Sequence, residues 1–148
     1  MPVLGDTNII WRRFAPHDPH YPEIKNAIDT LLLQGDTIYI TPQNLIEFYA
    51  LATRPSSANG LGLTSQEANA KIKQIETFFP LLEEIPSIYS YWRILMESYE
   101  CHGRQVYDAR LVAVMMAHGI KAILTRNPSD FRRFHDIQVV EPHEVQTI

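Results

Sequence analysis

The chain has 148 residues, a length typical of one domain. Its apolar fraction of 45% is close to the globular average and excludes wholesale disorder, and no apolar run is long enough to span a bilayer. The net charge of −4 excludes a protein that coats nucleic acid by bulk positive charge alone. We therefore expect one domain that covers residues 1–148 and does not insert into a membrane.

The first half of the sequence alternates between short β-rich runs and helical periodicities. Pro2–Gly5 is an apolar run, as expected of a buried strand. Apolar side chains recur three and four residues apart over 23–33, which predicts a helix. Residues 37–40 are predicted to form a second strand. Pro42 then opens a helix over 43–53, because proline is favoured at a first helical position.

The second half continues this alternation after a loop over 54–63 that is rich in turn-forming residues. Thr64 and Glu67 have the spacing of a capping box, which predicts the start of a helix. The further predicted elements are this helix to about residue 79, a helix over 89–102 closed by Gly103, a helix over 106–118 closed by Gly119, a strand over 121–125, a helical turn over 128–133 and a strand over 137–140.

Strands that alternate with helices predict an α/β fold, a central parallel β-sheet flanked by α-helices. Right-handed crossovers bring the carboxyl ends of parallel strands to one edge of such a sheet. Folds of this kind bind their ligands at that edge. Side chains that follow the predicted strands are therefore the first candidates for a functional site.

Four acidic residues that are far apart in the sequence fall at this edge. Asp6 closes the first strand, Glu47 lies early in the helix after the second strand, and Asp108 and Asp130 lie near the starts of later helical segments. Taken singly, three of them could be helix-capping or first-turn acids, whereas Glu47 stands among apolar neighbours, where a carboxylate needs a partner. Together they would repel one another, and Mg²⁺ or Mn²⁺ would relieve that repulsion.

Arginines are placed unevenly around these acids. Arg104 and Arg110 flank Asp108, while Arg126 precedes Asp130 by four residues. This pattern is compatible with ordinary solvated surface. It is equally compatible with a positive rim around an acidic pocket, which a phosphate-backbone substrate would need.

Four segments resemble the motifs of PIN domains, in the same order along the chain. The resemblance extends over nearly the whole chain and is strongest to the single-domain toxins of VapBC-type toxin–antitoxin pairs. It implies a Mg²⁺- or Mn²⁺-dependent endoribonuclease that hydrolyses RNA, is usually a homodimer, and is silenced by a small antitoxin. The segments are VLGDTNII at 3–10, PQNLIEF at 42–48, YDARLVA at 107–113 and LTRNPSDF at 124–131.

The resemblance also implies roles for individual residues. Asp6, Glu47 and Asp108 match three acids of the family, and the fourth is assigned to Asp130 because Asn127 is neutral. The remaining expected roles are support of the acids by Thr7, Asn8 and Asn127, and contact with phosphate oxygens by Arg104, Arg110 and Arg126. Gly5 departs from the bulkier residue that is usual before the first acid. We expect it to weaken strand packing and to let substrate backbone approach closely, without removing a ligand.

Two other functions remain open at this point. A PIN-like domain can be catalytically weak or inactive and act as an RNA- or protein-binding module. A strand-end aspartate is also found in haloacid-dehalogenase-like phosphatases, although these need a second aspartate at the position of Asn8.

Two further expectations concern the setting of the protein. Because Cys101 is the only cysteine and the first residues do not have the pattern of a signal peptide, we expect a reducing, cytoplasmic location. Aromatic residues are dense around 89–99, and this predicts a homodimer interface there.

Overall fold

The computed structural model describes residues 1–145. It contains one four-stranded sheet in the order β2-β1-β3-β4, and every neighbouring pair is parallel. The strands are β1 (Pro2–Gly5), β2 (Thr37–Tyr39), β3 (Ala122–Leu124) and β4 (Gln138–Val140). The α/β fold class is confirmed, while residues 146–148 of the expected domain lie outside the described residues.

Six α-helices connect and cover the strands within the described part of the chain. They are α1 (Thr7–Ile10), α2 (Tyr21–Leu33), α3 (Pro42–Thr53), α4 (Ser65–Phe78), α5 (Ser87–Ser98) and α6 (Gln105–His118). None of the helices in residues 1–145 has the length and apolar character needed to cross a bilayer.

The two faces of the sheet carry separate apolar cores because neighbouring strand residues point to opposite sides. Val3 and Leu124 face the core that packs against α2, α3 and α4. Leu4 and Ile123 face the core that packs against α5 and α6. The acids on α3 and α6 therefore approach the sheet edge from opposite faces.

Local sequence signals account for several helix ends. The predicted capping box of Thr64 and Glu67 is present and starts α4. A second box, formed by Thr41 and Asn44, starts α3, with Pro42 in its first turn. Gly119 adopts the left-handed conformation, with φ +70°, and closes α6 as predicted.

The helices differ from the prediction in two places, a wrong helix end and a missed helix. The helix predicted over 89–102 ends at Ser98, well before Gly103, because Tyr99 turns into extended backbone and packs its ring edge-on against Phe134 at 5.1 Å. The short helix α1, which directly follows Asp6, was not predicted at all. Four residues are too few to show an apolar period, so the sequence pattern contains no sign of it.

Gly5 is required by packing on the core side of β1. It is buried, and an added Cβ would lie 2.7 Å from Ile10 Cγ2 and 3.3 Å from Ile38 Cγ2. The expectation that Gly5 weakens packing or admits substrate backbone is therefore wrong, because the side chain of Ile10 fills the space that a larger residue would need.

Candidate active site

The candidate site lies at the end of β1, the strand on whose two sides β2 and β3 are placed. The chain goes from β1 outward to β2 on one side, and later returns to place β3 on the other side of β1. Asp6 follows β1 and Thr125 follows β3, and the backbone N–H of Asp6 donates to the carbonyl of Leu124 at 3.0 Å. A crevice between strands that lead in opposite directions is the usual ligand position in open α/β sheets.

Asp6 is held by donors on three neighbouring residues. Its Oδ1 accepts from the backbone N–H of Thr7 at 2.8 Å, so the side chain also caps α1. Its Oδ2 accepts from Thr125 Oγ1 at 2.7 Å and from Asn8 Nδ2 at 3.2 Å. The carboxylate is buried and fixed in orientation by these hydrogen bonds.

Glu47 is fixed in the same manner from two sides. Its Oε1 accepts from Gln43 Nε2 at 2.8 Å, and its Oε2 accepts from Thr7 Oγ1 at 2.9 Å. Thr7 Oγ1 in turn accepts from Asn44 Nδ2 at 3.0 Å. Thr7 thus links the end of β1 to α3, and so joins Asp6 to Glu47.

Two of the four acids have raised pKa values, first because they are buried and second because other acids lie near them. Burial is the main cause that raises the pKa of Asp6 to about 6, with Glu47 and Asp130 adding to it against the hydrogen bonds from Thr125 and Thr7. Burial likewise raises the pKa of Asp108 to about 7, and the charges of Asp130, Asp6 and Glu47 add to it. The charges that act on Asp6 and Asp108 therefore come from the other acids at this edge of the sheet.

The cluster is nevertheless looser than a closed metal cage. Among the described residues, no three of these four acids offer carboxylate oxygens that all lie within 4.8 Å of one another. Carboxylate repulsion acts over a longer range than coordination and also works against closer approach. The donor set, made only of carboxylate oxygens with excess negative charge, suits a hard divalent cation.

A different group of possible metal ligands lies near the C-terminal end of the described residues. Glu141, His143 and Glu144 offer ligand atoms within 4.8 Å of one another. Their carboxylates already have local partners, because Glu141 lies 3.6 Å from Arg132 and Glu144 accepts from the backbone N–H of Glu141 at 3.0 Å. Such a capping box accounts for the grouping without a metal ion.

The predicted supporting residues differ in what they contact. The side chain of Asn8 joins the first motif to the fourth. Its Nδ2 donates to Asp6, and its Oδ1 accepts from the backbone N–H of Arg126 at 3.2 Å. The amide of Asn8 occupies the place where a haloacid-dehalogenase-like enzyme would need a second acid. Asn127 contributes its backbone N–H to Thr125 Oγ1 at 3.0 Å, and its side chain is exposed.

The three candidate phosphate-binding arginines have different surroundings. Arg104 lies close enough to Asp108 for its charge to lower the pKa of that acid. Arg110 is engaged by an ion pair with Glu84 at 2.6 Å. Arg126 lies near Arg12, whose pKa is lowered by burial and further by the charge of Arg126. Arg104 and Arg126 are therefore better placed than Arg110 to meet an anion.

Sequence reasoning missed three polar residues that hold the acids. Thr125 stands inside the fourth motif, directly after a strand adjacent to β1, and is completely buried. Gln43 and Asn44 stand in the second motif and are also buried. The four-residue spacing of Gln43 and Glu47 on one helix was a usable signal, because such residues share a helix face.

Comparison with known proteins identifies the family of the chain. The PIN domain family matches residues 3–137. The chain therefore belongs to the PIN domain family, which confirms the resemblance of its motifs.

The comparison includes a relative of similar sequence and two solved structures of similar fold. The chain is 26% identical over 140 residues to Ribonuclease VapC48 of Mycobacterium tuberculosis, covering 93% of this chain and 94% of that protein. VapBC2 from Rickettsia felis, solved bound to a DNA fragment from its promoter, contains a chain of similar fold, with TM-score 0.68, 18% identity and coverage of 95% and 98%. A chain of VapBC-1 from nontypeable Haemophilus influenzae has TM-score 0.68, 17% identity and coverage of 97% and 99%.

Proposed function

We propose that this protein is a divalent-metal-dependent endoribonuclease that hydrolyses RNA phosphodiester bonds, and that it is the toxin of a toxin–antitoxin pair. The observation that carries the proposal is the convergence of Asp6, Glu47, Asp108 and Asp130 at the switch point of the sheet, where Thr7 links Asp6 to Glu47 and the charges of the other acids raise the pKa of Asp6 and of Asp108. Carboxylates that come together in this way repel one another when ionised, and a bound cation relieves that repulsion. The similarity to a named ribonuclease supports RNA as the substrate.

Within this proposal the four acids would hold Mg²⁺ or Mn²⁺. When bound, the cation would supply positive charge beside the scissile phosphate and would lower the pKa of a water molecule. Thr7 and Thr125 keep Asp6 in one orientation by their hydrogen bonds. Arg104 and Arg126 hold phosphate oxygens of the RNA backbone by charge-assisted hydrogen bonds.

The proposed partners follow from the relatives. Those of known structure include VapBC complexes and a toxin–antitoxin complex from Klebsiella pneumoniae. We accordingly propose a small antitoxin as the protein partner, a homodimer as the assembly and the cytoplasm as the location. The alternative of a PIN-like binding module without catalysis predicts RNA binding without cleavage, and the same assay separates the two.

The test is a metal-titrated cleavage assay on purified protein with single-stranded and structured RNA. We expect cleavage with Mg²⁺ or Mn²⁺, none in excess chelator, and a large loss in Asp108→Asn. Asp136→Asn is the matched control, since it removes an exposed acid outside the site. Cleavage that persists in chelator would overturn the metal mechanism. Hydrolysis of a small phosphomonoester without RNA cleavage would favour the phosphatase alternative.

A further inference from the structure

Gln43 lies between the acid on α3 and the helix that carries Asp108. It is 9% exposed, and its Nε2 donates to Glu47 Oε1 at 2.8 Å and to the backbone carbonyl of Tyr107 at 2.8 Å. A side-chain amide nitrogen has two hydrogens, so both donors of Gln43 are used. One buried group therefore touches a candidate metal ligand and the residue immediately before a second one.

The orientation of this amide is determined by its surroundings. Arg110 Nη1 lies 3.4 Å from Gln43 Oε1, and Arg110 is itself held by Glu84. Because a guanidinium only donates and a carboxylate only accepts, the oxygen of Gln43 must face Arg110 and its nitrogen must face Glu47. The amide cannot flip without placing like groups against each other on both sides.

This contact joins two helices that have no common core. α3 packs on one face of the sheet and α6 packs on the other, so their acids come together only at the sheet edge. Thr7 fixes Oε2 of Glu47 relative to β1. Gln43 fixes Oε1 of Glu47 relative to the first turn of α6.

We propose that Gln43 is a positioning residue of the metal site, which sets the place of Glu47 relative to Asp108 by bridging Glu47 to the backbone of α6. The proposal rests on the metal-dependent function proposed above. Removal of a hydrogen-bonding partner of a metal ligand typically weakens metal affinity about 10- to 100-fold. We expect a loss in that range when the bridge is removed.

The test uses Mn²⁺ alone as the probe, with affinity measured by calorimetry and by the paramagnetic resonance signal of free Mn²⁺. Gln43→Leu removes both donors at similar volume, and Gln43→Met does so with a more adaptable side chain. Gln105→Leu is the matched control, because Gln105 also lies in the first turn of α6 and its side chain accepts from the backbone N–H of His102 at 2.9 Å. Each variant is also measured in a Glu47→Gln background, and its melting temperature is recorded.

We expect at least a tenfold weaker affinity for Mn²⁺ in both Gln43 variants, wild-type affinity in the control, and no further loss in the Glu47→Gln background. Wild-type affinity in well-folded variants would overturn the proposal. So would an equal loss in both backgrounds, since the effect would then not pass through Glu47. If neither Gln43 variant folds, Gln43 is required for the stability of the fold, and this outcome would also overturn the proposed positioning role. A wild-type protein that binds no Mn²⁺ would overturn the proposed function and this inference together.

Discussion

Thr125 donates its hydroxyl hydrogen to Asp6 Oδ2 at 2.7 Å, and this bond joins two residues that stand 119 positions apart at the ends of neighbouring strands. The same hydroxyl oxygen accepts from the backbone N–H of Asn127. A buried carboxylate and a backbone donor thus depend on one threonine, which makes Thr125 the point where the first and fourth motifs meet.

Thr125→Val should destabilise the protein by about 1–3 kcal/mol, because it removes one of the two donors to the buried Oδ2 of Asp6 and leaves the backbone N–H of Asn127 without its acceptor. It should also raise the pKa of Asp6 further, since the hydrogen bond from Thr125 opposes the effect of burial. Urea unfolding in chelator measures the first effect. Thr125→Ser keeps the hydroxyl and should recover most of the stability, whereas equal stability of wild type and Thr125→Val would refute the prediction.

Asp6→Asn should separate catalysis from folding. Activity should fall by more than the roughly 100-fold that the loss of a supporting residue can cause, because a hard cation loses an anionic ligand. Without metal the variant should be more stable by on the order of 1 kcal/mol, since a buried charge with a raised pKa is removed. Contact of the new amide with Asn8 Nδ2 offsets part of this gain.

Cleavage rates and melting temperatures of Asp6→Asn are compared with those of Asp136→Asn, which should behave as wild type in both. Robust RNA cleavage by folded Asp6→Asn would rule out its role as a ligand. A marked loss of stability would show instead that its capping of α1 is the dominant contribution.

The metal-free protein should lose stability as the pH rises. The pKa of Asp6 is raised from 3.8 to about 6 and that of Asp108 from 3.8 to about 7, so the folded state binds more protons than the unfolded state between these values. Stability is therefore highest below about pH 4 for these two groups and falls until about pH 7. Melting curves in chelator should show the loss, and the double variant Asp6→Asn, Asp108→Asn should show less of it. An identical pH slope in both proteins would contradict the assignment.

Gly5→Ala should cost about 1–3 kcal/mol through overpacking, because the new Cβ meets Ile10 Cγ2 at 2.7 Å. Ile10→Ala should also destabilise, since Ile10 is completely buried. In the double variant the two costs should be less than additive, because the methyl group at position 5 enters space that Ile10 has vacated. Additive costs, measured by chemical unfolding, would show that the two side chains do not share this space.

The α5 region should form the homodimer interface. Trp92 and Tyr99 are used within the chain, since Trp92 Nε1 donates to the carbonyl of Val106 and Tyr99 packs on Phe134. Tyr89 and Ile94 are left 67% and 51% exposed. Light scattering at micromolar concentration should report a dimer for wild type and a monomer for Ile94→Glu. Leu33→Glu, which changes an exposed residue on α2, should remain dimeric, and a monomeric wild type would refute the prediction.

Much of the fold was accessible from the sequence because its signals are local. Apolar periodicity located α2, the capping box of Thr64 and Glu67 located the start of α4, and Gly119 marked the end of α6. The order of strands and helices was enough to predict a parallel sheet and the edge at which the acids fall. Each of these inferences depends on residues within a few positions of one another.

Tertiary structure decided how the acids are held and which neighbours they have. The roles of Thr125 and Gln43 depend on contacts across 119 and 64 positions, and no local pattern encodes such distances. Tertiary contacts also decide two features of the fold. Ile10 packs into the space beside Gly5, and α5 ends early where Tyr99 packs against Phe134. Hydrogen bonds and packing act between atoms that the folded chain brings together. Motif order was therefore enough to propose the acids of the site, whereas the residues that position those acids could be identified only in the folded structure.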